Sequence, residues 1–336
     1  MEMEETNAAD DTWKMNPRNS MKKAGLFFFL LMLFELPVSV LIAMVQSVFP
    51  AGYSTTISIL MTQGYLLLGA ILYLIITGQH FVADLQVKKY RISTFFLSLV
   101  VLITASPMAT WLNVFSQLFA KNQTSGAIYQ VTQNVPMFFG IVIIGCLPGF
   151  IEETLYRGIM FTAFRKRSVL TGIIVSALSF GLMHMNFNQI LYAIYLGVIF
   201  ALIVEATGSI VSTMILHMLF NAVNTSYVYI LPKMYEWLGR YSQEYADMDI
   251  EAVFEQTPSN TNLFLMLVVL APFAIGGIVL TILLLKAIAG INKRPFTWAY
   301  LRDREKGVEK NGPVTIFLIL GWAFCIVIAV MNMLGG

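Results

Sequence analysis

Long apolar stretches follow one another along the whole chain, parted by short polar or charged segments. A helix that crosses the hydrocarbon core of a bilayer needs about 20 mostly apolar residues. Runs of roughly this kind lie near 24–48, 55–77, 94–118, 134–164, 169–186, 189–205, 209–229, 262–288 and 313–333. The pattern predicts an all-α fold, a polytopic transmembrane helical bundle of about eight to nine spans. The fourth run is long and holds Pro148-Gly149, which can kink it or split it in two. The expected organisation is a cytoplasmic tail (1–23), N-terminal transmembrane helices (24–133), a core (134–229), an external loop (230–260) and C-terminal helices (261–336).

Composition agrees with the pattern. Hydrophobic residues are 57% and charged residues 12% of the 336, against about half and about a quarter in a soluble domain. The apolar run from Ala24 is too long for a signal h-region and reads as a first span rather than a leader. Met1 to Asn19 is acidic, then basic, and reads as a disordered tail. Cys146 and Cys325 sit in apolar runs with no CxxC spacing, which fits buried thiols rather than a disulfide or a metal site.

Charge distribution sets the orientation. Lys14, Arg18, Lys22 and Lys23 precede the first run, and Lys88, Lys89 and Arg91 lie between the second and third. Arg165, Lys166 and Arg167 follow the fourth; Lys293, Arg294, Arg302, Arg304, Lys306 and Lys310 lie between the eighth and ninth. The alternate segments are poor in positive charge: 49–54 has none, and 119–133 has only Lys121. In the 230–260 loop, Glu236, Glu244, Asp247, Asp249, Glu251 and Glu255 outnumber Lys233 and Arg240. Its aromatic residues Tyr235, Trp237, Tyr241 and Tyr245 suit an anchor at the membrane surface. All basic loops therefore fall on one side, so the N-terminus is expected in the cytoplasm of a multi-pass cell-membrane protein. A bacterial plasma membrane suits this pattern. Lipid is the expected surrounding partner, and no nucleic acid is expected.

An ionisable residue inside a span is costly and by default points to function. The runs contain Glu35, Glu152, Glu153, Arg157, His184, Glu205 and His217. Glu35 stands alone beside Pro37. Glu205 lies at the cytoplasmic end of its run, where it is expected to reach water. The others cluster. On a helix, Glu153 and Arg157 are neighbours four residues apart and can neutralise each other. Glu152 points about 100° away from that pair, and a carboxylate without a cationic partner is suited to take up and release a proton. Phe180 and His184 share one helix face, as do His217 and Asn221. His80 falls in a cytoplasmic loop and reads as incidental.

Depth can be checked against the basic turn near Ser168. Glu152 and His184 are equally far from it in sequence, each about 24 Å along its helix, so they can face each other. His217 is only about 13 Å from the start of its helix near Gly208, and tilt or a displaced start has to close the difference. Any one of these side chains can also serve as interhelical glue.

Glu152-Glu153-Thr-Leu-Tyr-Arg157, Phe180-Gly-Leu-Met-His184 and His217-Met-Leu-Phe-Asn221 stand in order, each on a predicted span. The set resembles the membrane-embedded CAAX prenyl-endopeptidase and bacteriocin-processing family, also called CPBP or ABI, over about residues 134–229. That family is marked by Glu-Glu-x-x-x-Arg, Phe-x-x-x-His and His-x-x-x-Asn. The resemblance implies an intramembrane protease acting on a membrane-associated peptide or protein. It implies Glu152 as general base for water, with His184 holding that water. His217 and Asn221 would stabilise the tetrahedral oxyanion, and Glu153 and Arg157 would support them. Two histidines and a glutamate (Glu152, His184, His217) are also a plausible zinc set, while the same groups can activate water without a metal. There is no HExxH to choose between these, and the family contains both labels. A non-proteolytic immunity or scaffold protein of the same fold is the alternative. A proton-coupled transporter is a weaker one, since no internal repeat is evident.

Overall fold

The computed structural model describes residues 20–303 and 315–335. The tail before Ser20, with Lys14 and Arg18, and the basic residues Arg304, Lys306 and Lys310 lie outside the described residues. Every regular element among the described residues is helical. Among the described residues, eight helices are long and apolar enough to cross a membrane: α1 (Met21–Gln46), α2 (Ser54–Thr77), α3 (Ile92–Ser116), α4 (Met137–Arg165), α6 (Phe187–Thr207), α7 (Ile210–Gly239), α8 (Asn260–Ile291) and α9 (Ile316–Leu334). The shorter apolar helix α5 (Val169–Leu182) lies between α4 and α6. The protein is thus an all-α polytopic bundle.

Local chemistry explains where helices begin and bend. Ser20, Ser168, Asn186, Ser209 and Ser259 cap α1, α5, α6, α7 and α8, each side chain accepting a hydrogen bond from a first-turn amide. Gly208 ends α6 with φ of 74°, a conformation that suits a residue without Cβ. α1 is interrupted at Phe34; Pro37 has no N–H to return to the preceding turn. α4 is bent in hydrogen bonding but not split. Two π-helical segments, Ile141–Cys146 and Thr154–Phe161, flank the α-helical Leu147–Glu153. The first ends just before Pro148, and a widened turn accommodates a proline ring and its missing donor.

Two features lie beyond the segment limits read from the pattern. α7 continues to Gly239, through the first aromatic residues of the 230–260 stretch. A helix at Gln123–Asn134 occupies most of the segment between α3 and α4. The apolar runs marked spans, but amphipathic helix outside them carries no such signal.

The basic loops meet at one end of the bundle. The Ile210 amide donates to the Gln86 carbonyl (3.1 Å), and Ser209 Oγ donates to the Lys88 carbonyl. Arg91 donates to the Ile291 carbonyl at 3.0 Å. Glu205 does not reach water, contrary to the sequence expectation: it is 0% exposed. Arg165 grips its carboxylate through Nε and a terminal nitrogen at 2.7 and 2.9 Å. Arg294 donates to it at 3.3 Å and the Tyr300 hydroxyl at 2.8 Å. Arg165 arrives from the last turn of α4 and Arg294 from the segment after α8, and together they replace solvent. Burial and the neighbouring carboxylate push the Tyr300 phenol up to about 12, so it stays a donor at every physiological pH.

α4 and α7 approach closely because α4 presents Gly145 and Gly149 to its partner. A Cβ on Gly149 would fall 2.7 Å from the Met218 amide nitrogen and 3.0 Å from its Cα. On Gly145 it would meet Ala222 backbone at 3.2 Å. Small residues four apart are how membrane helices bring backbones together. Gly149→Ala therefore forces backbone apart and is expected to lower stability in detergent by about 1–3 kcal/mol, read as a fall in melting temperature. Gly276→Ala, where an added Cβ meets nothing within 4 Å, serves as the neutral comparison.

Candidate active site

Glu153 and Arg157 form the expected pair, with Arg157 Nη1 2.8 Å from Glu153 Oε1 and both side chains 0% exposed. The pair holds more than itself. His217 Nδ1 lies 2.9 Å from the same Glu153 oxygen. Since a carboxylate can only accept, Nδ1 carries the hydrogen, and Nε2 is turned to Glu152, 3.8 Å from its Oε2. Arg157 also donates to the Gly197 carbonyl of α6 at 3.3 Å. One carboxylate thus ties α4 to α7, and its arginine ties α4 to α6.

Aromatic rings close the cluster. Arg157 lies over Phe180 of α5 at 4.5 Å and over Phe200 of α6 at 5.3 Å. The rings of His184 and His217 both stand edge-on to Phe180, at 5.2 and 5.7 Å between ring centres. Phe180 is therefore the common wall between the two histidines. Desolvated cation–π contacts of this kind contribute about 2 kcal/mol, and they hold a guanidinium where no water reaches it.

α5 ends at Leu182, so His184 sits just past the helix rather than on its last turn. It stays in register because its Nδ1 bonds the Phe180 carbonyl at 2.9 Å, filling a carbonyl that the helix end leaves open. The carbonyl accepts, so Nδ1 carries the hydrogen and Nε2 of the neutral ring is an acceptor. Met185 takes φ of 47° in the tight turn that follows. His184 lies within electrostatic reach of both Glu152 and His217.

The depth mismatch of His217 has a structural resolution. α7 starts level with Gly158, about two turns before the end of α4, not with Ser168. The Leu85 side chain packs against Gly158, a Cβ there meeting it at 3.1 Å, and the neighbouring Gln86 carbonyl receives the first amide of α7. From Gly158 back to Glu153 is about 8 Å of rise, and from Ile210 to His217 about 10 Å. The two side chains therefore meet.

Glu152 is 6% exposed and has no cationic partner at hydrogen-bond distance among the described residues. Its other oxygen is 3.5 Å from Gln63 Nε2 of α2. Sequence reasoning missed Gln63 because it weighed only ionisable residues inside spans; a carboxamide in mid-span was the available signal. Asn221 lies one turn beyond His217 on α7, half-buried and without a hydrogen bond among the described residues. Its amide is unengaged, as an oxyanion donor requires before substrate arrives. Glu35 lies apart, half-buried at the break in α1, and His80 is exposed ahead of Phe81. Neither joins the cluster. No group of three His, Cys, Asp or Glu side chains among the described residues is gathered as a metal's ligand set. Glu152, His184 and His217 thus do not fit a zinc ion in this arrangement, and no step below passes through a metal.

Among the described residues, the arrangement offers a buried carboxylate without a cation at hydrogen-bond distance and two oriented imidazoles, with the unengaged carboxamide of Asn221 one turn further along α7. That is equipment for activating one water and stabilising one oxyanion. Residues 133–223 match the family model described as type II CAAX prenyl endopeptidase Rce1-like, a stretch that takes in all three motifs. Over that stretch the chain is similar to the type II CAAX prenyl endopeptidases. No curated protein and no solved structure matches the chain.

Removing one member of a buried ion pair strands the other charge, at a cost of about 3–5 kcal/mol. Arg157→Ala, which leaves Glu153 only the His217 Nδ1 hydrogen, is expected to lose up to that much stability, measured by thermal unfolding in detergent. Arg165→Ala, whose side chain is 14% exposed and whose partner Glu205 keeps Arg294 and Tyr300, is expected to cost less.

Proposed function

We propose that this protein is an intramembrane endopeptidase that hydrolyses a peptide bond of a membrane-associated peptide or protein, using a water activated by Glu152. The observation that carries this reading is the contrast between the two adjacent glutamates. Glu153 is spent on Arg157 and His217, while Glu152 has no cation bound and faces an imidazole across 3.8 Å. A gap of that size between two polar groups is one a bridging water fills.

Glu152 removes a proton from the water as its oxygen attacks the scissile carbonyl carbon. His184 Nε2 accepts the water's other hydrogen and aims the lone pair. The carbonyl oxygen becomes the oxyanion. The Asn221 amide donates to it, and His217, fixed by its Nδ1 hydrogen on Glu153, stands beside it. Protonated Glu152 then gives its proton to the leaving nitrogen as the C–N bond breaks, releasing an acid and an amine. Arg157 acts at one remove, by holding Glu153.

The family description supports a prenylated Cys-aliphatic-aliphatic-X terminus as the substrate class. A prenyl chain keeps such a peptide at the membrane surface, where the bundle can take it up. The convergence of the basic loops at one end supports a cytoplasmic position for that end and for the N-terminus.

The test is hydrolysis of a fluorogenic S-prenylated CAAX peptide by protein in liposomes. Glu152→Gln is expected to lower kcat by about 10²–10⁴ and His184→Ala by about 10²–10³ with folding unchanged, and His217→Ala to lower kcat as far as His184→Ala while also melting earlier. His80→Ala is expected to match the unmodified protein. Processing that persists in the folded Glu152, His184 and His217 variants would rule out the endopeptidase reading. Activity lost to a chelator and restored by zinc would make these three residues ligands instead.

A further inference from the structure

Gln63 lies outside the stretch that matches the family model, on a helix that supplies no motif residue. It is 8% exposed, and its amide nitrogen faces Glu152 Oε1 at 3.5 Å. Its amide oxygen is buried and has no hydrogen-bond partner among the described residues. Gln79 and Gln86 also bury an amide oxygen without a partner among the described residues; what sets Gln63 apart is that its nitrogen is turned to the carboxylate of the proposed base. Here the amide is oriented for the carboxylate at the oxygen's expense. The carboxylate fixes the assignment, since it accepts from NH2 and would repel the oxygen.

Resting on the endopeptidase reading, we propose that Gln63 is a positioning residue for the base. Its carboxamide donates to Glu152 Oε1 and turns Oε2 toward His217 and the water between them. Glu152 is then held from two sides of the bundle: by α2 through one oxygen, and across from α7 at the other. The bond is long in the free protein, as catalytic hydrogen bonds often are before substrate tightens them. The consequence is that α2 is a working part of the site.

Three variants separate positioning from packing: Gln63→Leu, which removes the donor and the orphan acceptor; Gln63→Glu, nearly isosteric but with a second carboxylate in place of the donor; and Glu152→Gln. Each is assayed on the prenylated CAAX peptide in liposomes and melted in detergent. Gln63→Leu is expected to lower kcat about tenfold with KM unchanged, and to melt at or above the temperature of the unmodified protein. Gln63→Glu is expected to be less active than Gln63→Leu. If Gln63→Glu equals or exceeds Gln63→Leu in kcat, or if Gln63→Leu melts well below the unmodified protein, the proposal is overturned in favour of packing. An unmodified protein that cleaves no peptide, or a fully active Glu152→Gln, overturns the endopeptidase reading and takes this inference with it. Normal behaviour of those two, with the variant order reversed, overturns the inference alone.

Discussion

One oxygen of Glu153 carries much of this architecture. Arg157 and His217 both reach it at under 3 Å, inside a region where an unpaired charge is costly. Because Glu153 and Arg157 belong to α4 and His217 to α7, satisfying the carboxylate fixes how those helices meet. Arg157 extends the constraint to the α6 backbone and, through Phe180, to α5. Gly145 and Gly149 let the backbones come close enough for the bonds to form. Pairing that one oxygen and packing these helices are a single requirement.

The proposed chemistry follows from that commitment. A glutamate absorbed by an arginine and a histidine cannot easily act as a base. Its neighbour, one residue earlier and turned to a different direction, is spared. Division of labour between adjacent carboxylates thus comes from helical geometry. The histidines divide their work in the same way. Each gives its Nδ1 hydrogen to an acceptor within the bundle, a backbone carbonyl for His184 and a carboxylate for His217, so each ring's Nε2 is left for the reaction.

The bundle was legible in the sequence because membrane spans announce themselves by length and apolarity. The Glu153–Arg157 pair was legible because it is local, needing only helical spacing. What was not legible depended on tertiary arrangement. Nothing in the chain near Gly208 says that α7 starts level with Gly158, so the meeting of His217 and Glu153 could not be derived from rise per residue. Glu205 looked solvated because its arginines, at the end of α4 and after α8, are far away in sequence. Gln63 was overlooked because its significance lies in the direction of a neutral amide. The helix at Gln123–Asn134 and the last turns of α7 are not apolar enough to be read as spans.

The i,i+4 spacing of Glu153 and Arg157 also bears on biogenesis. Isolated charges at mid-membrane cost about 2.5–3.5 kcal/mol each on insertion scales. Synthesis places α4 in the bilayer before α7 exists, so the contacts from His217 come too late to help it enter. The pair requires no other helix. Of the charges inside α4, short of Arg165 at its end, Glu153 and Arg157 can therefore leave the translocon already neutralised, and Glu152 is the one that must wait for the bundle to assemble around it.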